Sequence, residues 1–433
     1  MAGDRPARSA WLVWGVAVAV YVAAVFHRGS LGVAGPQALE RFGVGPAALS
    51  AFTVLQVGIY ASMQIPAGLL VDRFGARRIL VMSVLLLGLG QTLFAVTTAY
   101  PLALVARAVL GLGDGLTWVT ILRLVALRFT TRQYALVATV SAALGGLGGV
   151  AATFPLAAVL VSIGWTGAYA LLGGLTLAYA VVVGLAVHEP GTHQDSRVRS
   201  GASMFHNVGT AWRVPGTRLA FWAHFSTMFV SVALALLWGF PYLVEGLGVA
   251  PGLAGVVLST LILGQVVGGP IVGTVISRFP IARMPIVFGY LVAALAAWSV
   301  LLGWPGVPPL AYAVTAFAIF SLGGPISAIA FAIARDYNPI HQVGVASGVA
   351  NTGGHSATAL SALAVGLLLQ LTSTLPAAES YRIAMLVFVA MLLFGGFRTL
   401  VWWRRVRREV FAAQDRGEQV PVVLRRRTVR ESG

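Results

Sequence analysis

Few ionisable side chains interrupt the long apolar runs of this chain: His27, Arg28, Arg107, Asp114, His224 and His355. Burying a charge among apolar helices is costly, so each of these residues is a candidate for function. Arg107, Gly111 and Asp114 are spaced by four and by three residues and so share one helical face. At about 1.5 Å per residue, Asp114 lies roughly 10 Å along the helix from Arg107. A guanidinium presents a planar fork that matches a carboxylate, so Arg28 and Arg107 converging in a dry cavity suit an anionic substrate. Asp114 is the one acid well inside an apolar run. It is therefore the expected carrier of a coupled proton, with Arg107 as its partner on the same face and His27 as an accessory group.

Blander readings stand beside these. Arg28 sits near the end of its run and is placed to snorkel toward an interface, as are Arg123 and Arg398. His224 and His355 are expected as hydrogen-bonded packing residues. Gln56, Trp118, Trp238 and Tyr242 are further candidates for a cavity lining, although aromatic residues in apolar helices more often pack or mark an interface. The histidines are too few and too scattered for a metal site, and the chain has no cysteine to supply thiolates. No phosphate loop, nucleophile elbow or metal motif is present, so neither an enzyme nor a cofactor is expected.

The elements that must position these groups are written in the composition. Hydrophobic residues make up 58% of the 433 and charged ones 10%, far too little polar surface for a soluble protein of this size. About a dozen stretches reach the ~20 residues that a membrane-spanning helix requires. They fall near 10–32, 47–71, 79–98, 101–127, 133–162, 165–187, 217–244, 252–276, 284–302, 308–334, 342–371 and 380–403. None alternates in the manner of a barrel strand, which leaves an all-α polytopic membrane protein of 12 transmembrane helices in two six-helix bundles. The first run is too long for a signal peptide and leads directly into further spans, so it reads as an uncleaved helix.

All 29 basic residues are arginine and the net charge is +16. The arginines cluster in alternate connections, which is the positive-inside pattern and not a nucleic-acid surface. It predicts a multi-pass protein of the cell's inner (cytoplasmic) membrane with both termini in the cytoplasm. The polar stretch 188–216 reads as a cytoplasmic linker between an N-terminal bundle, 1–187, and a C-terminal bundle, 217–403. Beyond it, 404–433 is a basic tail drawn to anionic headgroups.

The chain is also a duplication. Residues 68–78 read Gly-Leu-Leu-Val-Asp-Arg-Phe-Gly-Ala-Arg-Arg, and a degraded copy, Gly-Thr-Val-Ile-Ser-Arg-Phe-Pro-Ile-Ala-Arg, starts 205 residues later at Gly273. Gly68, Arg73 and Arg78 pair with Gly273, Arg278 and Arg283, and the same offset carries Gly148, Gly149, Ala152 and Thr153 onto Gly353, Gly354, Ala357 and Thr358. The glycines are expected to permit close packing and bending where rocking helices cross. Asp72 stands at a helix end, placed to pair with Arg73 or Arg78 or to face the N-terminus of another helix, and Gly75 permits a tight turn. Ser277 and Pro280 replace Asp72 and Gly75 in the second copy, so the first loop is expected to be the stronger of the two.

The 68–78 run resembles the signature loop between helices 2 and 3 of the major facilitator superfamily, and the second copy resembles that family's weaker repeat. The resemblance implies two bundles rocking about a central site, with the loop as a cytoplasmic latch. Arg107-Ala-Val-Leu-Gly111 resembles the family's helix-4 motif, whose arginine faces the cavity. More narrowly, Tyr60-Ala-Ser-Met-Gln64-Ile-Pro66-Ala-Gly68, the late helix-1 Arg28 and the Arg107/Asp114 spacing resemble the anion:cation symporter branch. His27 departs from that branch, whose bacterial sugar-acid members usually place an acid there. The resemblance implies proton-coupled uptake of a small organic anion by a monomer whose partners are the bilayer, substrate and protons. Efflux of drugs or metabolites, and a non-transporting sensor or assembly role, are the rivals. Pro155 lacks the preceding glycine of the antiporter motif, and the cavity charges are retained.

Overall fold

The computed structural model describes residues 8–44, 46–152, 154–188 and 204–422. Thr153, most of the expected linker and the arginine triplet at 425–427 lie outside the described residues. The described chain is helical, and the long elements are apolar around most of their circumference, as lipid-facing helices must be, while the short helices Leu31–Phe42, Met204–Arg213 and Ile329–Tyr337 are amphipathic. Side chains such as Val54, Val161, Leu185, Val292 and Leu363 stand exposed on the outer wall.

The first bundle contains α1 (Arg8–Gly29), a short α2 (Leu31–Phe42), α3 (Pro46–Ser62) and α4 (Gln64–Phe74), α5 (Ala76–Val96), α6 (Tyr100–Arg128), α7 (Thr131–Ala151) and α8 (Phe154–Ala186). A short α9 (Met204–Arg213) precedes the second bundle. There, α10 (Pro215–Ala233) continues through two π-helical turns, Leu234–Trp238 and Tyr242–Gly246, that flank α11 (Gly239–Pro241). Next come α12 (Pro251–Arg278) and α13 (Arg283–Gly303), then the broken span α14 (Leu310–Ser321), α15 (Gly323–Ser327) and α16 (Ile329–Tyr337). The bundle closes with α17 (Val343–Leu371) and α18 (Ala377–Asp415). Among the described residues, 11 helices are long and apolar enough to cross a membrane, and the bent pair α3 and α4 makes the twelfth span.

Several span boundaries differ from the sequence reading: α18 runs on to Asp415, well past 403, and the span expected at 308–334 is broken into α14, α15 and α16. The first span was expected to run to residue 32, yet α1 ends at Gly29 and α2 starts after Ser30, whose hydroxyl donates to the His27 carbonyl at 2.9 Å. The fifth ends where expected, since the chain turns at Gly164 before the sixth, but it is interrupted between Ala151, where α7 stops, and Phe154, where α8 begins. Pro155 has no N–H to continue a helix and is suited to opening the next one, and α8 then kinks at Gly164, where φ is +68°. Hydropathy cannot see such breaks, because the residues on both sides are equally apolar.

The two bundles meet most closely at the end that carries the duplicated loops, called here the latch end. At that end α4, far more than α3, packs on α17, and α12 packs on α7. A Cβ on Gly68 would come within 2.5 Å of the Gly344 carbonyl oxygen, and one on Gly273 would strike Thr139 of α7. Both copies of the repeat thus use a glycine to bring one helix of each bundle into backbone contact. The linker helix α9 lies across the same end, with Ala211 buried beside Leu69, Val345 and Val349.

Gly148, Gly353 and Gly354 permit close packing, as expected, but at crossings within each bundle. Gly148 lies against the Val22 carbonyl of α1, Gly353 against the Phe221 carbonyl of α10, and Gly354 against the His224 ring. These contacts lie inside each bundle, not where the bundles cross. Gly149 has room to spare: a Cβ there would meet only the Val25 side chain, at 3.8 Å.

Candidate functional site

Arg28 and Asp114 form the centre of the site. The Arg28 guanidinium donates from Nε to Asp114 Oδ2 and from Nη2 to Oδ1, both at 2.7 Å, in the fork-to-fork geometry that makes this pairing strong. The arginine side chain is 28% exposed while the carboxylate is fully buried, so the guanidinium borders the space between the bundles, called here the cavity, where Tyr60 also meets His355 of the second bundle. Tyr60 lies flat under Arg28, 4.4 Å from the ring centroid. Trp118 packs on Tyr21 at 5.0 Å.

His27 and Arg28 are neighbours on α1 and therefore point about 100° apart. Arg28 enters the cavity. His27 turns into the bundle, 1% exposed, with Nε2 2.9 Å from the Thr176 hydroxyl.

Arg107 departs from the sequence reading. It is 1% exposed, its guanidinium sits over the Phe94 ring at 4.5 Å, and it donates to Gln56 Oε1 at 3.0 Å and to the His27 carbonyl at 3.2 Å. It neither lines the cavity with Arg28 nor pairs with Asp114. Two helical turns on one face leave the side chains too far apart to bond, and Arg28 on another helix is nearer the acid. Arg107 instead ties α6 to the last turn of α1. Gln56, expected as a cavity residue, is its buried partner.

From the second bundle, Phe331 of α16 packs against Trp118 at 5.7 Å and against His224 of α10 at 4.9 Å. His355 of α17 meets the Tyr60 ring at 5.0 Å. Asn351, one turn before it, donates to Gln64 Oε1 across the interface. Trp118 is thus buried between Tyr21 of the first bundle and Phe331 of the second. The other lining candidates, Trp238 and Tyr242, pack inside the second bundle: the indole N–H of Trp238 donates to the Ala362 carbonyl, and Tyr242 packs with Trp298 and Tyr381.

Below this site is the latch. The Asp72 carboxylate accepts from the backbone N–H of Gly344 at 3.2 Å and of Val345 at 2.8 Å, in the first turn of α17, where those donors have no partner within their own helix. Its cation is Arg123, at 3.4 Å, a residue expected to snorkel; Arg73 and Arg78 are exposed and are not its partners. Nothing in the local spacing announces Arg123, since it reaches Asp72 from a separate span. Gly75 has φ +84°, the turn that only glycine makes readily, and in the second copy Pro280 starts a 3₁₀ turn instead. There Ser277 accepts from the Leu136 N–H at 3.0 Å, Arg278 is exposed, and Arg283 pairs with Asp336 at 2.5 Å. Arg335 holds that same acid at 3.6 Å and crosses to the Thr131 hydroxyl of α7.

Two six-helix bundles, closed on each other at one end and enclosing a buried ion pair under a lipid-facing wall, define a membrane carrier. The chain belongs to the Major Facilitator Superfamily, whose model matches residues 17–242 and 225–432. It is a transport protein and not an enzyme. The probable sulfoacetate transporter of Cupriavidus necator is 27% identical over 172 residues, a match spanning 40% of each chain. The solved structure of the E. coli fucose:proton symporter superposes with a TM-score of 0.70 at 17% identity, covering 90% of this chain and 99% of that one. A proton:xylose symporter superposes with a TM-score of 0.66 at 14% identity, covering 91% and 95%. At these identities the superpositions speak for the fold.

Proposed function

We propose that this carrier takes up a small organic anion together with a proton, and that Arg28 and Asp114 form the coupling site. The single observation that carries the reading is the bidentate pair itself. While Asp114 is ionised, it occupies the Nε/Nη2 edge of Arg28 and compensates the guanidinium's charge, so an incoming carboxylate or sulfonate is left the Nη1 side and a weaker electrostatic pull. Protonation of Asp114 removes its charge and one acceptor, which releases the guanidinium to the substrate. Each ligand therefore favours the other, the thermodynamic condition for symport. Arg107 serves this site indirectly, by fixing the turn of α1 from which Arg28 projects.

The partial match to a probable sulfoacetate transporter and the fold shared with proton symporters agree with an anionic substrate and a coupled proton. With the arginine-rich connections inside, the latch end is cytoplasmic, both termini lie there, and the protein belongs to the cytoplasmic membrane. The test is uptake of radiolabelled short organic acids into proteoliposomes under an imposed pH gradient. Wild type should accumulate its substrate when the outside is acidic. Asp114→Asn should exchange substrate across the membrane without accumulating it, and concentrative, pH-dependent uptake by that variant would show that the proton travels elsewhere.

A further inference from the structure

Across the cavity from Arg28 the second bundle presents two imidazoles. His355 is half-buried and reaches over the bundle interface to the Tyr60 ring, the same ring that carries Arg28 on its face. Among the described residues no hydrogen bond anchors the His355 ring, and the cation that shares the Tyr60 ring with it is Arg28. His224 is 1% exposed with its Nδ1 buried and without a partner. The space that it occupies exists because residue 354 is glycine: a Cβ there would overlap the ring. A packing histidine ordinarily satisfies its ring nitrogens, because an unmet buried polar group costs free energy. Here an unanchored ring stands within one small-molecule length of the guanidinium, backed by a second ring with an unmet nitrogen.

We infer that His355 receives the second polar end of the substrate, which is therefore a short organic acid with an oxygen function at each end: a carboxylate or sulfonate held by Arg28, and a hydroxyl, carboxylate or sulfonate held by the imidazole. The inference rests on the reading of Arg28 as the anion ligand. Each end of such a molecule would be gripped by a different bundle, so a bound two-ended acid bridges them. A one-ended acid of equal length engages Arg28 alone and leaves the imidazole without a partner. A hydrogen bond with one charged member changes affinity about 10- to 100-fold.

Isothermal titration of the purified full-length protein with succinate, 4-hydroxybutyrate and butyrate, which share a four-carbon chain, tests this. Wild type should bind at least one of the two-ended acids about 10- to 100-fold more tightly than butyrate. His355→Leu should bring the affinities together, and His355→Gln, which keeps a donor, should restore part of the difference. Thermal melting in detergent checks that both variants are folded. Equal binding of all three acids by wild type, or an unchanged preference in folded His355→Leu, overturns the inference and leaves Arg28 as the anion ligand. Binding of none of them, or binding undiminished in Arg28→Gln, overturns the reading of Arg28 and this inference with it.

Discussion

The two bundles descend from one plan yet distribute charge differently. In the first, an acid is paired with an arginine at both levels: Asp114 with Arg28 in the cavity, and Asp72 with Arg123 at the latch. In the second, the facing groups are neutral, His355 against Tyr60 with His224 buried on Phe331, and Ser277 in the loop, while the acid at the latch end, Asp336, is taken up by Arg283 and Arg335 of its own bundle. The backbone geometry is common to both, since Gly68 and Gly273 each permit a close crossing between bundles. The latch contacts themselves differ in kind. Asp72 meets N–H groups that have no partner within α17, whereas Leu136, which donates to Ser277, is already well inside α7. Duplication has preserved where the helices touch and released what chemistry sits at the contact.

The most severe way to break this asymmetry is at its centre. Arg28→Gln should leave the protein folded, abolish binding of the anionic substrate and leave Asp114 without its cation. Removing one partner of a desolvated pair costs about 2–5 kcal/mol, or roughly 30-fold and upward in affinity by titration. Normal transport by that variant would reduce Arg28 to an interfacial anchor. Arg107→Gln sharpens the distinction: with no direct contact to the cavity, it should weaken binding by about tenfold or less, and a loss as large as that of Arg28→Gln would return Arg107 to the substrate.

At the latch, Asp72→Asn should lose about 1–3 kcal/mol of the contact with α17, since charge-assisted bonds are worth about that much. The chain has no cysteine, so single cysteines introduced on the two faces can be labelled without background. Labelling at the latch end should rise in Asp72→Asn, and unchanged labelling would make the loop a topological turn without a gating role. Ser277→Ala should have the smallest effect, about 1 kcal/mol or less, because a neutral bond to a donor already engaged in its helix is lost and Arg335 still crosses to α7. An equal response from Asp72→Asn and Ser277→Ala would contradict the asymmetry.

The fold was legible in the sequence because lipid imposes long apolar runs and because the repeat recurs without gaps. Asp114, Arg28 and Asp72 were singled out for a related reason: charge is conspicuous where it is costly. Their ion-pair partners were not legible. Pairing of Arg28 with Asp114 and of Arg123 with Asp72 joins residues on different spans, and helical periodicity reports only neighbours on one helix. It therefore favoured Arg107 as the partner of Asp114, and for Asp72 it offered the adjacent arginines, which do not pair with it, or the N-terminus of another helix, which α17 supplies. The Gly148 and Gly353 positions were misplaced for a similar cause, since a small residue marks a close approach without saying which helix approaches.

The neutral pairing of Arg28 with Asp114 also bears on membrane voltage. An empty site contains one guanidinium and one carboxylate, and a site loaded with a single monovalent anion and one proton contains the same net charge. If Asp114 is the coupling group, the electric field then does no work on the moving site in either direction, although it acts with about 2.3 kcal/mol per unbalanced charge at 100 mV. A monovalent substrate should be concentrated by the pH gradient alone, and clamping the potential across proteoliposomes should leave its uptake unchanged. A divalent substrate entering with the same single proton would carry one negative charge, and its uptake would be opposed by an inside-negative potential.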